Sequence, residues 1–168
     1  KGISLLMEGE KSTAVSGKEA ADFEGAGTEA SPYEITSAAD LKKLAENVKN
    51  GTDYEGKYFQ LTVNIDLKNE EWTPIGTIVY TGEFGRSEER YFKGTFDGDG
   101  HQIANLTITG RNEYVGLFGY VRNATIQNCN VAGEVSGYNA VGGIVGAVDG
   151  KTNNILNCSF QGNVTGNV

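Results

Sequence analysis

The side chains with the clearest chemical potential lie in one short segment, in which Asp97, Asp99 and His101 alternate with glycine. Alternating carboxylates suit calcium, and a carboxylate beside a histidine can act as an acid–base pair. The segment lacks the later glutamate of an EF-hand, and no motif places a nucleophile near the histidine. We therefore expect a tight turn in which the aspartates accept hydrogen bonds from nearby backbone amides, with a calcium site as the alternative.

The remaining candidates for catalysis or metal binding are few. Cys129, Cys158 and the single histidine are too few and too widely spaced for a zinc site built from cysteine and histidine. Acidic pairs such as Glu70–Glu71 and Glu88–Glu89 are common on solvated surfaces and do not indicate a glycosidase. The sequence therefore assigns no catalytic, cofactor-binding or metal-ligating residue, and it predicts a protein that is not an enzyme.

One segment has the composition of a recognition site. Residues 77–91 form a glycine-containing excursion that is rich in aromatic and arginine side chains, which are frequent in binding hot spots. Binding residues also tend to lie on loops that a rigid scaffold projects. The alternative is a hairpin that only shields the side of a helix. The candidate ligand-binding residues are Tyr80, Phe84, Arg86, Arg90 and Tyr91.

Composition excludes several classes of partner. The 168 residues include 14 basic and 22 acidic side chains, for a net charge of −8. This charge argues against nucleic acid and anionic membranes, since both need a basic surface. No stretch approaches the ~18 apolar residues of a membrane span. We therefore expect no nucleic-acid partner and no membrane insertion.

Repeats indicate the architecture that must position these residues. The segment TIQNCNVAGEVSG (125–137) aligns without a gap with NILNCSFQGNVTG (154–166), at an offset of 29 residues. HQIANLTITG (101–110) aligns as a third copy and FQLTVNIDL (59–67) as a weaker fourth. Short runs of Val, Ile, Thr and Phe broken by Gly and Asn are typical of strands. The repeats predict an all-β fold, a right-handed parallel β-helix of about four coils over residues 57–168.

In this alignment equivalent residues form buried columns. A recurring asparagine is expected to form a hydrogen-bonded ladder at an inward turn, because its side chain can bond the copies above and below. Cys129 and Cys158 are expected to stack as free thiols, since parallel neighbours satisfy the disulfide dihedral poorly. The predicted columns are Ile103/Ile126/Ile155, Leu106/Cys129/Cys158 and Ile108/Val131/Phe160.

An amphipathic helix is predicted over residues 37–50. Ser37 is the expected N-cap, Asp40 lies three residues later, and Gly51 suits the position after the C-terminus. One face carries apolar residues at helical spacing. We expect this helix to cap the N-terminal end of the β-helix, where open strand edges would otherwise recruit other chains.

These segments resemble bacterial GLUG-motif proteins. The resemblance covers residues 27–168 and includes EWTPIG (71–76), FKGTFDGDG (92–100), YVGLFGYV (114–121) and AVGGIVGAV (140–148), the last two being similar to the GLUG motif itself. It implies one β-helix domain and an extracellular location, in a family similar to adhesins and to regions that accompany IgA-cleaving proteases. It implies no catalytic residue. Residues 1–26 have no counterpart and are expected to be an irregular or capping extension.

The function predicted from these features is that of a non-catalytic, secreted bacterial surface module for adhesion. A host protein or a glycan would be its ligand. The alternatives are a β-helix enzyme acting on polysaccharide and a structural spacer. Because the last copy ends at Val168, where its predecessor continues into a GLUG-like segment, we expect a fragment of a longer protein, or else end-to-end self-association.

Overall fold

The repeated segments stack as parallel strands in a computed structural model, which describes residues 22–82 and 84–167. The predicted parallel β-helix is confirmed. Most of the extension expected over residues 1–26 lies outside the described residues. In chain order the elements are β1 (Tyr33–Ile35), α1 (Ala38–Lys49), β2 (Tyr58–Leu61), β3 (Ile65–Asp66), β4 (Thr77–Thr81), β5 (Arg86–Arg90), β6 (Thr95–Asp97), β7 (Gln102–Ile108), β8 (Phe118–Arg122), β9 (Thr125–Gln127), β10 (Asn130–Gly137), β11 (Val145–Asp149), β12 (Asn154–Leu156) and β13 (Ser159–Gly166).

Three parallel sheets form the walls of the solenoid. The first sheet has the order β1-β2-β6-β9-β12, the second β13-β10-β7-β3, and the third pairs β8 with β11. Each turn of the solenoid contributes one strand to the first sheet, so there are five turns. The four coils predicted over residues 57–168 are present as β2, β6, β9 and β12, and the prediction missed a fifth turn, because β1 precedes the helix and pairs with β2.

The offset of 29 residues between the last two copies is confirmed by the strand register. Ile126 pairs with Ile155 and Val131 with Phe160 across neighbouring turns. The two GLUG-like segments also stack in parallel, since Val115 pairs with Val141. Of these residues Ile126, Val131 and Val115 are buried in one hydrophobic core, and the partly buried Phe160 and Val141 pack against it.

The predicted columns that include the third copy were wrong. Ile126 pairs with Phe96 of β6, and Ile103 pairs instead with Val131 of β10. Ile108 pairs with Val135 for the same reason. The segment 101–110 therefore belongs to the second sheet throughout, and it does not continue the corner that contains Cys129.

A bulge in β7 explains the misalignment. The register shifts by one residue between Val131/Ile103 and Gly133/Leu106, and Asn105 in this bulge has φ 59°. The corner residues Asn128 and Asn157 have φ 53° and 51°. Because asparagine tolerates the left-handed region, a bulge and a corner select the same residue type and look alike in sequence.

The helix forms as its capping signals predict. The Ser37 side chain accepts a hydrogen bond from the Asp40 amide, and Asn50 is the C-cap. The apolar face of α1 enters the solenoid core, with the buried residues Leu41, Leu44, Ala45 and Val48. At the same end the Glu34 amide of β1 donates to the Glu24 carbonyl at 2.8 Å, so the outer edge of β1 is partly covered.

The column formed by Phe96, Ile126 and Ile155 allows a matched test of core packing. Ile126 is fully buried, whereas Ile155 is 45% exposed in the last turn. We expect Ile126→Ala to lower the free energy of unfolding by ~2–5 kcal/mol. The same truncation at Ile155 should cost about 1 kcal/mol, because less apolar surface is lost from the core. Urea unfolding of both variants measures the difference, and equal losses would contradict this packing.

The last turn leaves an open strand edge. Among the described strands, β11, β12 and β13 each pair on one side only, and Val164 is exposed.

Candidate functional site

The excursion over residues 77–91 is an antiparallel hairpin of β4 and β5 that interrupts one turn of the solenoid. On one side of it Ile75 pairs with Phe118, and on the other Phe92 pairs with Val121. The chain therefore leaves the third sheet and returns to it across the two residues Gly119 and Tyr120. This arrangement fixes the base of the hairpin on a rigid wall.

Glycines allow the close packing at this base. A Cβ atom at Gly119 would lie 2.4 Å from the Gly76 carbonyl oxygen and 2.3 Å from that of Tyr114. Gly76 has φ 81°, a conformation that other residues adopt with strain. Gly76, the last residue of the TPIG segment, and Gly119, the second glycine of YVGLFGYV, are thus the two residues that let the chain turn outward here.

The five predicted ligand-binding residues fall into two groups in this hairpin. Phe84 at the tip is 92% exposed, Tyr80 is 68% exposed, and Arg86 is also exposed. Arg90 and Tyr91 lie at the base, where Arg90 forms an ion pair with Glu88 and Tyr91 is buried.

Contacts of the base residues indicate a structural task. The Tyr91 hydroxyl donates to the Glu89 carboxylate, and its ring centroid lies 4.5 Å from that of Tyr120. The Arg122 guanidinium lies 5.4 Å from the Tyr91 ring centroid, a cation–π geometry. Only the tip group is therefore free to contact a partner directly.

A groove of about 640 Å³ runs beside β4. Trp72, Pro74 and Val115, which are buried or half-buried, form its floor, and the exposed Tyr138 also lines it. The Trp72 indole is buried and its Nε1 donates to the Leu117 carbonyl at 3.0 Å. Sequence reasoning missed this groove, because its residues come from five separate segments that only the stacking brings together. Its lining residues are Lys49, Glu71, Trp72, Thr73, Pro74, Thr77, Ile78, Val79, Tyr80, Arg111, Asn112, Glu113, Val115 and Tyr138.

The acidic side chains of the groove have hydrogen-bond partners within the protein, whereas its basic side chains form no ion pair among the described residues. Both carboxylate oxygens of Glu71 accept hydrogen bonds from Thr109, at 2.8 and 2.9 Å. Glu113 accepts one from the Asn139 side chain at 2.8 Å. No ion pair among residues 22–82 and 84–167 involves Lys49 or Arg111. The groove therefore offers cationic groups to a ligand, while its carboxylates are already bonded within the protein.

The Asp97 turn, the alternative candidate for calcium, takes part in the polar ladder of the corner. The Asp97 carboxylate accepts from the Asn128 side chain at 3.0 Å, the Gln127 side chain at 2.7 Å and the Asp99 amide at 2.8 Å. Burial acts to raise the pKa of Asp97, but these hydrogen bonds outweigh it and hold the pKa below its usual value.

The same corner contains the predicted asparagine ladder with one substitution. Asn157 donates to Asn128 at 3.3 Å, and Asn128 donates to Asp97, so an aspartate occupies the place expected for Asn105. Asn105 instead donates to Asp66 at 2.8 Å. No cluster of three or more potential His, Cys, Asp or Glu metal ligands occurs in the described part of the chain.

The two cysteines stack at this corner as free thiols, as predicted. Each sulfur lies 3.3 Å from the carbonyl oxygen two residues earlier, Gln127 for Cys129 and Leu156 for Cys158. The proximity of the two thiols raises the pKa of the buried Cys129, which keeps its proton, and lowers the pKa of Cys158.

This pair predicts unequal thiol reactivity. At neutral pH we expect iodoacetamide to alkylate Cys158 much faster than Cys129, because the thiolate is the nucleophile and Cys129 is buried. Cys129→Ala removes the neighbouring thiol, so the pKa of Cys158 should rise and its alkylation at pH 7 should slow several-fold. Cys129→Ser keeps a polar hydrogen on this side chain and is the matched control. Mass spectrometry measures both rates, and an unchanged rate in Cys129→Ala would contradict the coupling.

Two curated relatives match most of this chain. A protein of Haloquadratum walsbyi named "Halomucin" is 35% identical over 156 residues, which are 86% of this chain and 2% of that protein. A protein of Evansella cellulosilytica named "Putative Gly-rich membrane protein" is 30% identical over 140 residues, 79% of this chain and 14% of that protein. The chain thus spans a small part of the length of these relatives. Within the described residues, no helix is both long enough and apolar enough to cross a membrane.

One solved structure supports the architecture independently. The crystal structure of a "putative immunoglobulin A1 protease" from Bacteroides ovatus is similar to this chain with a TM-score of 0.53 and 26% sequence identity. The similarity covers 85% of this chain and 51% of that one. No family model matches the chain, so the resemblance to GLUG-motif proteins stays a prediction.

Proposed function

We propose that this chain is a non-catalytic module of a surface protein, which binds its ligand through the tip of the β4–β5 hairpin. The observation that carries the proposal is the exposure of Phe84 and Tyr80 on an excursion from a rigid solenoid. Exposed aromatic side chains on a projecting element offer apolar surface that a partner can bury. Arg86 beside them completes a combination that is frequent in binding hot spots.

The names of the relatives support a location at or outside the cell surface. One relative carries the name of a halomucin and the other that of a Gly-rich membrane protein. The resemblance to GLUG-motif proteins favours the same location. Adhesion, to a host protein or a glycan, is our proposal for the task performed there.

The proposal of a non-catalytic role has support in the geometry. The Asp97 carboxylate, the best acid–base candidate, is engaged by three hydrogen-bond donors of the chain itself. The protein from Bacteroides ovatus is described as a protease, yet the similarity concerns 51% of it. We propose that the shared half is a scaffold, with residues 27–168 of this chain forming one β-helix domain.

The hairpin tip is tested by substitution of the exposed side chains. Phe84→Ala and Arg86→Ala should each weaken binding by about 2 kcal/mol, or about thirtyfold, if the tip is a hot spot. The measurement is binding of the purified chain to an array of extracellular-matrix proteins and glycans. Val148→Ala and Lys151→Ala, which remove an exposed apolar and a basic side chain from the last turn, are the controls.

The outcomes separate the proposed function from its alternatives. Neither tip substitution should change the free energy of unfolding by more than about 0.5 kcal/mol, since both side chains are exposed. Absence of any bound protein or glycan would favour a structural spacer. Turnover of an acidic polysaccharide would overturn the non-catalytic role.

A further inference from the structure

The edge of β4 lies along the groove described above. Four consecutive residues of this strand, 77–80, line the groove, and no residue of β5 does. Successive side chains of a strand point to opposite faces. A groove that touches all four must therefore follow the edge of the strand, with β5 on the opposite side of β4.

The backbone groups on this edge are available. The register of the hairpin pairs every residue of β4 with β5, from Thr77–Arg90 to Thr81–Arg86. Within the described residues, no backbone hydrogen bond joins β4 to any other segment. The Ile78 carbonyl accepts a hydrogen bond from the Thr77 hydroxyl at 3.5 Å. The other N–H and C=O groups on the open side of the strand remain for an incoming chain.

The two edges of the hairpin differ in their protection. Four of the five residues of β5, RSEER, are charged, whereas β4, TIVYT, carries no charge and two β-branched aliphatic residues. Charged side chains are the common means by which proteins protect an exposed strand edge from pairing. The hairpin thus protects the edge that faces solvent and leaves open the edge that faces the groove.

We propose that the groove binds an extended peptide segment of a partner protein, which adds to the edge of β4 as a third strand. This inference goes beyond the proposed function, because it assigns a peptide ligand to the groove and not to the hairpin tip. The segment would form main-chain hydrogen bonds with β4 and place alternate side chains on the apolar floor of Trp72, Pro74 and Val115. Lys49 and Arg111, which have no ion-pair partner in the described part of the chain, favour acidic residues in that segment.

A peptide fits these observations better than a saccharide. Sugar rings stack on exposed aromatic faces, and the groove offers Tyr80 and Tyr138 for this, while the Trp72 indole is buried. A strand edge offers a periodic row of donors and acceptors, and an extended main chain matches that row. Saccharide binding in the groove is therefore an outcome that the test must be able to detect.

The probes are peptides selected from a displayed library of random decamers on the unchanged chain, then synthesised with blocked ends. We expect the selected sequences to be rich in β-branched and acidic residues. Val79→Lys places a charge on the open edge of β4, similar to the charges that β5 already carries. This variant should weaken peptide binding at least tenfold. Ser87→Lys adds the same charge to β5, outside the groove, and should change binding less than twofold.

A chemical control isolates the main chain of the peptide. N-methylation at alternate residues removes backbone donors while the side chains remain, and one of the two alternating patterns should abolish binding. Binding should also protect the amides of 77–81 from hydrogen exchange. Thermal unfolding of Val79→Lys shows whether the variant is folded, and Thr77→Lys, at another groove-lining position of the strand, serves if it is not.

The possible results decide between this inference and the proposed function. Failure to enrich any peptide, equal affinity for the Val79→Lys and Ser87→Lys variants, or peptides insensitive to both patterns of N-methylation would overturn strand addition. Competition for the groove by a saccharide alone would overturn it too. Binding of the selected peptides that Phe84→Ala abolishes and Val79→Lys leaves intact would place them on the hairpin tip, which keeps the proposed function and rejects this inference. Peptide binding without any surface ligand on the array would do the reverse.

Discussion

Parallel stacking in register is the constraint on which the rest of this structure depends. Every turn must return a strand to a position directly over its predecessor, so the chain can gain or lose residues only at corners, bulges and excursions. Those positions require left-handed backbone, and the chain meets the requirement with Asn105, Asn128 and Asn157. Their amides then bond the neighbouring turn, so a residue selected for its conformation also contributes to the lateral ladder.

The same constraint explains how much of the fold the sequence could predict. The last two copies have no insertion between them, and their offset of 29 residues became the strand register directly. The copy around Asn105 misled the alignment, because a bulge and a corner of the solenoid both favour asparagine. β1 escaped notice for a different reason. It has three residues, and the helix α1 separates it from the strand on which it stacks.

The sequence could predict site residues only where these residues lie close together in the chain. Aromatic and arginine residues within 77–91 marked the hairpin, yet composition could not separate the exposed Phe84 from the buried Tyr91, because burial depends on Tyr120 and Arg122 in the next turn. The groove left no signal in the sequence. Its lining residues are as far apart in sequence as Lys49 and Tyr138, and only the stacking of the turns brings these side chains together.

An excursion is the one place where such a solenoid can gain a binding surface without disturbing its register. The wall strands are fixed on both sides by their neighbours, so a new side chain there changes only the outer face. The hairpin leaves and re-enters across Gly119 and Tyr120, and the strands above and below keep their pairing. Its own two strands are therefore free to differ. The charges on β5 and their absence on β4 are such a difference, and it turns a projection into a surface with one protected edge and one open edge.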